Sequence, residues 1–345
     1  MLQLRNRSPF VAQLFPLCDL DGVETLVVVV KGTFTTGSSA TVAELQRPLV
    51  LADEYWGDPD TTSIAAACDA HLPKPGTDVV VVGEACALAE RPVTMLDIAV
   101  GIGDRQVQAQ VHGDRHWTEG VGGVRPSQAQ PFVRMPVRYE RAFGGHHVPD
   151  ASKSTYLAEP TNPVGLGFRG KRSIDEMLGQ PVPNIDDPRK PLRALGQRPT
   201  PVGFGPVAPP WQPRVSFGGT YDELWHKTRA PFLPKDFDPR FFNIAPPALT
   251  ILDGLQGGER VAVLGFHPSG TQHFALPSCE LEATVTIAGS DVRPPLRLDT
   301  VVLEPTDERV LLTWRAAVPV DKKLLRVEQV DVCLQAIDGE AWSNP

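Results

Sequence analysis

Apolar positions in this chain follow two patterns, alternation with polar residues and short unbroken runs, and both favour strands over helices. Residues 26–30 (Leu-Val-Val-Val-Val) are a β-branched run that continues to Thr35 and meets a turn at 37–39. After that turn 41–45 alternates roughly, so the spacing predicts a hairpin. The run 78–82 and the alternating stretch 93–100 are read as a second pair of strands. From 106 to 111 the alternation is strict, and the glycines at 101 and 103 predict a tight-turned antiparallel hairpin with one buried and one wet face. Residues 64–68 (Ile-Ala-Ala-Ala-Cys) stop too soon before Pro73 and Pro75 for a helix and are read as a strand. Strands return near the C-terminus. Residues 260–266 and 271–276 flank the turn His-Pro-Ser-Gly at 267–270, and a strand follows at 281–288. Residues 296–303 and 309–314 lie either side of 304–308, and 324–337 reads as the last strand.

Between these regions the pattern breaks down. Fifteen of the 35 prolines fall between Pro181 and Pro247, and proline removes a backbone donor and breaks helix interiors. Low-complexity disorder would lack aromatics, yet the same stretch carries nine, Phe204, Trp211 and Trp225 among them. The combination predicts an ordered, irregular segment that lays aromatic side chains against a sheet or a partner. Two short helices interrupt it. Ser173 and Glu176 have capping-box spacing with Gly179 as a stop. Thr220 as N-cap with Glu223, followed by Lys227, Arg229 and Pro231, predicts a helix over 221–229. The fold class is therefore mainly β, with antiparallel sheets or β-sandwich-like halves. Three regions follow: an N-terminal β region (1–121), a Pro/Gly/aromatic-rich irregular segment with short helices (122–247) and a C-terminal β region (248–345). Similar hairpins at both ends leave a duplicated β-domain as one possible arrangement.

Composition adds exclusions. At 345 residues and 41% hydrophobic, the chain can bury a core without staples. A net charge of -8 argues against a nucleic-acid partner, whose binders rest on a basic surface. Apolar runs such as 26–30 fall far short of the ~20 residues that span a bilayer, and no long apolar stretch follows Met1. A soluble, cytoplasmic protein with no membrane partner is expected. The five cysteines, at 18, 68, 86, 279 and 333, are odd in number, scattered and free of Cys-x-x-Cys spacing, so they read as reduced thiols.

Candidate chemistry is thin. His112, His116, His146 and His147 are the densest histidine patch. On a helix an i, i+4 pair would share a face for a metal, but Gly113 and the preceding strand separate them, and polar loop histidines are the better reading. Asp222, Glu223, Asp236, Asp238 and Glu140 could supply a hydrolase carboxylate pair at ~5–9 Å. The first two read better as first-turn helix charges, and Asp238 before Pro239 as an N-cap. Glycines at 165–167, 203–205 and 218–219 lack the strand–loop–helix context of a phosphate loop. There is no Gly-x-Ser-x-Gly, and Cys68 and Cys279 have no evident base. No catalytic, cofactor or metal residue is assigned. What remains suits holding a partner: Tyr139, Arg141, Phe143, Phe204, Trp211, Tyr221, Trp225, Arg240, Phe241 and Phe242 are of the aromatic and arginine types that dominate interface hot spots.

Nine signatures then occur in order: Glu-Tyr-Trp-Gly-Asp-Pro at 54–59, Leu-Pro-Lys-Pro-Gly-Thr-Asp-Val at 72–79, Gly-Asp-Arg-His-Trp at 113–117, Met-Pro-Val-Arg-Tyr-Glu-Arg-Ala-Phe-Gly-Gly at 135–145, Asn-Pro-Val-Gly-Leu-Gly-Phe at 162–168, Pro-Asn-Ile at 183–185, Pro-Val-Gly-Phe-Gly-Pro at 201–206, Gly-Thr-Tyr-Asp at 219–222 and Asp-Phe-Asp-Pro-Arg-Phe-Phe-Asn at 236–243. Together, over roughly 17–314, they resemble a bacterial type VI secretion accessory family long catalogued as a domain of unknown function. The resemblance implies a cytoplasmic, non-catalytic adaptor or chaperone. Its implied partners are a secreted effector protein and a spike protein of the VgrG or PAAR type. The family's motif positions match at Arg141, Phe143, Gly144, Gly145, Asn162, Gly203, Phe204, Tyr221, Asp222, Trp225, Arg240 and Asn243, while His146 and His147 depart from its pattern. Two other readings stay open: a hydrolase of carbohydrate or peptidoglycan using Asp222 or Asp236, and a structural component carried on the spike.

Overall fold

The computed structural model describes residues 2–37, 39–149 and 156–342, and Ser38, the middle of the first expected turn, lies outside them. The main strands of the larger sheets are β1 (Gln3–Arg7), β2 (Val11–Cys18), β3 (Glu24–Thr35), β4 (Thr77–Val81), β5 (Met95–Ile102) and β6 (Arg105–His112) in the first half of the chain. The second half contributes β7 (Arg260–Leu264), β8 (Gln272–Ala275), β9 (Cys279–Ile287), β10 (Arg297–Glu304), β11 (Arg309–Pro319) and β12 (Val327–Ile337). The class is mainly β, and the only α-helices among the described residues are α1 (Ile174–Met177) and α2 (Glu223–Thr228).

Three larger sheets share one core. The central sheet runs β2-β3-β11-β10-β4, ending on Thr250–Ile251. The second runs β6-β5-β7-β8, with Ile185–Asp186 beside β6, and the third runs β1-β12-β9. Every one of these sheets mixes strands from both ends of the chain. Among the described residues the two β regions are therefore woven together in shared sheets. The hairpins at 101–104, 267–270 and 304–308 form where the alternation places them. The pairing read between 78–82 and 93–100 does not. Instead β4 lies parallel to β10, with Val79 opposite Val301, because its partner strand comes from the far end of the chain. The first hairpin is shorter than the pattern suggests, since only Thr41–Val42 pairs with β3.

Burial explains the run at 26–30. Leu26, Val28 and Val30 enter the main core with Val79 of β4, Ile98 of β5 and Val330 of β12. Val27 and Val29 face the other way onto Leu49 and Leu72. Both faces of β3 are covered, so it reads as a continuous apolar run rather than an alternation. The cover on the second face is a strap formed by 43–72, which includes the short strand Ile64–Ala66.

The irregular segment is ordered by close approach. The ring of Phe204 meets that of Phe266 at 5.9 Å, and the amide of Val81 donates to the Phe204 carbonyl at 2.7 Å. Gly203 lies against the Tyr139 ring, leaving no room for a β-carbon. At Gly76 the demand is double: φ is +70° and a β-carbon would collide with the Ile251 carbonyl. Gly76→Ala should therefore lower stability by about 2 kcal/mol or more, combining backbone strain with overpacking. A denaturant midpoint unchanged from the wild type would contradict this.

Candidate partner-binding surface

The aromatic and arginine residues read from sequence as partner contacts separate sharply by burial. Tyr139, Phe143, Phe204 and Trp211 are buried, none more than 6% exposed. Tyr139 and Trp211 pack edge to face at 5.3 Å, and Phe143 sits in a cluster with Trp117, Met177 and Val182. These four pack within the fold. Aromatic side chains lost from water here do the work of core residues, which the sequence alone does not separate from interface anchors. Arg141 is half-buried and engaged within the chain, donating to Asn184 Oδ1 at 3.0 Å and to the exposed Asp114 Oδ1 at 3.2 Å. Phe241 and Phe242 are half-buried in a cluster with Phe237, at 5.4 and 5.3 Å. Arg240 lies over the Phe217 ring at 4.3 Å and holds Asp238 at 2.6 Å.

Tyr221 and Trp225 belong to a different place. The arm from Gly219 to Pro234 is closed at its base by Asp236, whose carboxylate accepts from the amide and the hydroxyl of Thr220 at 3.0 and 2.7 Å. Thr220 is thus a clamp rather than the helix cap. Asp222 caps α2 instead, accepting from the Trp225 amide at 2.8 Å, and the helix starts two residues later than expected. Glu223 pairs with Lys227 at 2.6 Å along the exposed face. The far side closes through the Trp225 indole N–H, which donates to the Phe232 carbonyl at 2.9 Å, and through the Arg229 guanidinium, which donates to the Leu20 and Leu233 carbonyls. The Tyr221 and Trp225 rings meet at 4.7 Å. This bracing leaves an apolar tip in water: Tyr221 is 55% exposed, Leu224 68% and Phe232 39%. Leu224 and Phe232, which complete the tip, were not singled out as contacts. Leu224 is a lone aliphatic one position before Trp225 on a helix of otherwise polar surface.

The reactive groups are engaged within the chain. Glu140 accepts from the amide and the hydroxyl of Ser63, both at 2.8 Å, and the capping roles of Asp222 and Asp238 are met as the sequence suggests for Asp238. The five cysteines are unpaired, and burial pushes the thiols of Cys68, Cys86 and Cys279 up, the last to about 12, which holds them protonated and poorly nucleophilic. Among the described residues no three His, Cys, Asp or Glu side chains gather as metal ligands, and no helix is long and apolar enough to cross a membrane.

A family model described as an uncharacterized protein conserved in bacteria matches residues 21–315. The chain belongs to this family, DUF2169. No curated protein and no solved structure matches it.

Within the family-matched span lies a feature that sequence reading missed, a row of buried charges crossing the central sheet. Lys31 of β3 pairs with Asp69 of the strap at 2.8 Å. Arg315 of β11 pairs with Asp299 of β10 at 2.5 Å and donates to the Asp69 and His71 carbonyls. Lys74 pairs with Asp78 of β4 at 2.6 Å, both fully buried. Each cation has its own carboxylate, so the row is neutral and closed. Its signal was present as single charges inside apolar strands, such as Lys31 directly after the valine run.

The row and its neighbours predict how stability responds to acid. His71 Nε2 faces Arg315 Nη2 at 3.0 Å while Nδ1 faces the Leu72 carbonyl at 2.7 Å, the arrangement of a neutral ring protonated on Nδ1. Burial, then Arg315 and Lys74, hold His71 well below its ordinary value of 6.5. Burial and Arg115 lower His112 to about 4. Between about pH 6.5 and 4 the unfolded chain binds protons at these rings that the folded chain refuses, so stability falls as pH drops through that window. Asp299 acts lower: burial opposes its charge, but Arg315, which also donates a hydrogen bond to it, and Lys74 outweigh burial and bring the carboxyl from 3.8 to about 2. Its contribution is present above about pH 4 and disappears as pH falls through 2. Thermal melts from pH 7 to 3 should show a steady loss, and a flat profile between 7 and 4 would rule out neutral buried rings.

Proposed function

We propose that this chain is a non-catalytic adaptor that holds a secreted effector protein and helps load it onto a VgrG- or PAAR-type spike of a bacterial type VI secretion system, acting in the cytoplasm before secretion. The observation that carries the reading is the braced arm, which keeps Tyr221, Leu224 and Phe232 in water on a rigid base. A fold does not spend exposed aromatic area of this kind on its own stability. Large aromatic and aliphatic side chains on a pre-organised support are what a protein interface uses as anchors, because little conformational freedom is lost on binding. The nine ordered signatures that resemble the type VI accessory family supply the kind of partner. Internal engagement of Asp222, Asp236, Asp238 and Glu140 fits a holding role better than a hydrolytic one.

The test is co-expression of the full chain with the products of its neighbouring genes, followed by affinity capture. A stable complex with a toxin- or spike-bearing neighbour is expected. Recovery of the chain alone under conditions where both neighbours are soluble would overturn the adaptor reading.

A further inference from the structure

Beneath the strap, between Ala65–Ala67 and the β4, β10 and β11 face of the central sheet, lies a cavity of about 280 Å³. Val80, Val302 and Leu311 give it an apolar floor. Three consecutive alanines, Ala65, Ala66 and Ala67, line its strap side, and their small side chains leave the space open. Its mouth is edged by Arg47 and by Trp56, which is 39% exposed and stacked under the Arg138 guanidinium at 3.5 Å. Charged groups also line it, Lys31 with Asp69 and Glu304 on the wall and Arg47 and Glu54 on the strap. The Lys31 ammonium has three hydrogens, and among the described residues its one hydrogen-bond acceptor is Asp69.

We infer that this cavity is a binding site for a neutral aromatic ring system of about the size of indole. Size comes first: a dry apolar cavity of about 150 Å³ holds benzene, so this one admits two fused rings. Neutrality follows from the charges already present. Lys31 is matched by Asp69, Glu304 on the wall is held by Arg309 at 2.7 Å, and the exposed Arg47 and Glu54 of the strap are one of each sign, so an ionic guest would enter without a net counter-charge. Aromatic character follows from Lys31, since the face of a ring attracts a desolvated ammonium while a saturated guest offers it nothing. Such a ring could arrive as a free small molecule or as a tryptophan side chain on a bound protein, and the site chemistry is the same for both. This inference stands apart from the adaptor reading, because the ring site needs no protein partner to be tested.

The probe is indole, titrated into the full chain by calorimetry and by ligand-observed NMR. Saturable binding at one site is expected, with cyclohexanol at least fivefold weaker. Ala65→Leu should weaken indole at least tenfold while the melting temperature holds; if that variant fails to fold, Ala67→Leu, two positions on and on the same side by strand alternation, fills the same space. Absence of saturable indole binding, or equal affinity in wild type and filled variant, overturns the site. Cyclohexanol binding as tightly as indole overturns its aromatic character. The source of the ring is read from the complex recovered by co-expression. A filled variant that loses its protein partner as well as indole places a partner tryptophan in the cavity, and one that keeps its partner assigns the site to a free small molecule.

Discussion

Replacing Asp78 with alanine should cost the fold about 3–5 kcal/mol, because it leaves the buried Lys74 ammonium without its counter-charge. The carboxylate does more than neutralise. It accepts from Lys74 at 2.6 Å, from the Asn243 amide at 3.2 Å, from the Ile244 backbone at 2.7 Å and from the Thr250 hydroxyl at 3.1 Å. Those partners come from a loop, the end of the irregular segment and the strand that borders β4, so one side chain ties the segment 243–250 to the central sheet. Lys74 also donates to Thr300 of β10 at 2.9 Å, and Thr300 donates to Asp299 at 2.9 Å. Loss of Asp78 therefore reaches the Arg315 pair. Asp78→Asn keeps the shape but removes the charge and turns one acceptor into a donor, so it should fall between alanine and wild type. Adding Lys74→Met to Asp78→Ala should recover part of the loss, since no buried charge is then stranded. Urea unfolding measures all three. A loss below about 1 kcal/mol for Asp78→Ala would show that water reaches Lys74 and that the row is not closed.

Why did residues so central go unnoticed as a group? Each sits in a strand or turn whose local pattern is satisfied without it. Asp78 opens an apolar run, Arg315 follows Trp314, and Asp299 interrupts 296–303, positions that local periodicity treats as strand ends or irregularities. Each pair is local, but only the pairings of β4 with β10 and of β3 with β11 bring the three pairs into one row, and those two pairings join segments more than 200 residues apart. Hairpins, by contrast, were legible because turn and register lie within one short window. The same argument covers the parallel pairing of β1 with β12, which joins the two ends of the chain and leaves no trace in either strand alone.

The signature segments show the same division. Leu72 covers β3, Lys74 and Asp78 form the ion pair, Gly76 permits the turn, and Thr77 donates to the Leu298 carbonyl at 2.6 Å while accepting from the Leu255 amide at 2.9 Å. Asn243, from a segment more than 160 residues away, donates to the Pro75 carbonyl at 2.9 Å. A second knot joins Asn162, whose amide donates to the Tyr139 and Phe143 carbonyls at 2.8 and 2.9 Å, to glycines 144 and 165 packed against it. Most of the residues that make the sequence recognisable thus hold remote segments together. The arm, by contrast, carries the signature residues Tyr221 and Asp222 to the surface, as the segment 54–59 carries Trp56.

That separation yields the second large effect. Tyr221→Ala combined with Leu224→Ala should weaken capture of the protein partner at least a hundredfold, about 3 kcal/mol and within the range of paired interface anchors. The fold should barely respond. Both side chains are more than half exposed, and the contacts that brace the arm, from Asp236 to Thr220 and from Trp225 to the Phe232 carbonyl, do not involve either one beyond the Tyr221 ring. Phe204→Ala supplies the opposite control. With its ring 1% exposed, it should lose about 3–5 kcal/mol of stability and impair capture only as far as the chain unfolds. Melting curves and capture assays on the same preparations distinguish the cases. A doubly substituted arm that captures its partner at wild-type strength would move the interface elsewhere, and a large drop in melting temperature in that variant would make the arm part of the core rather than a surface built to hold another protein.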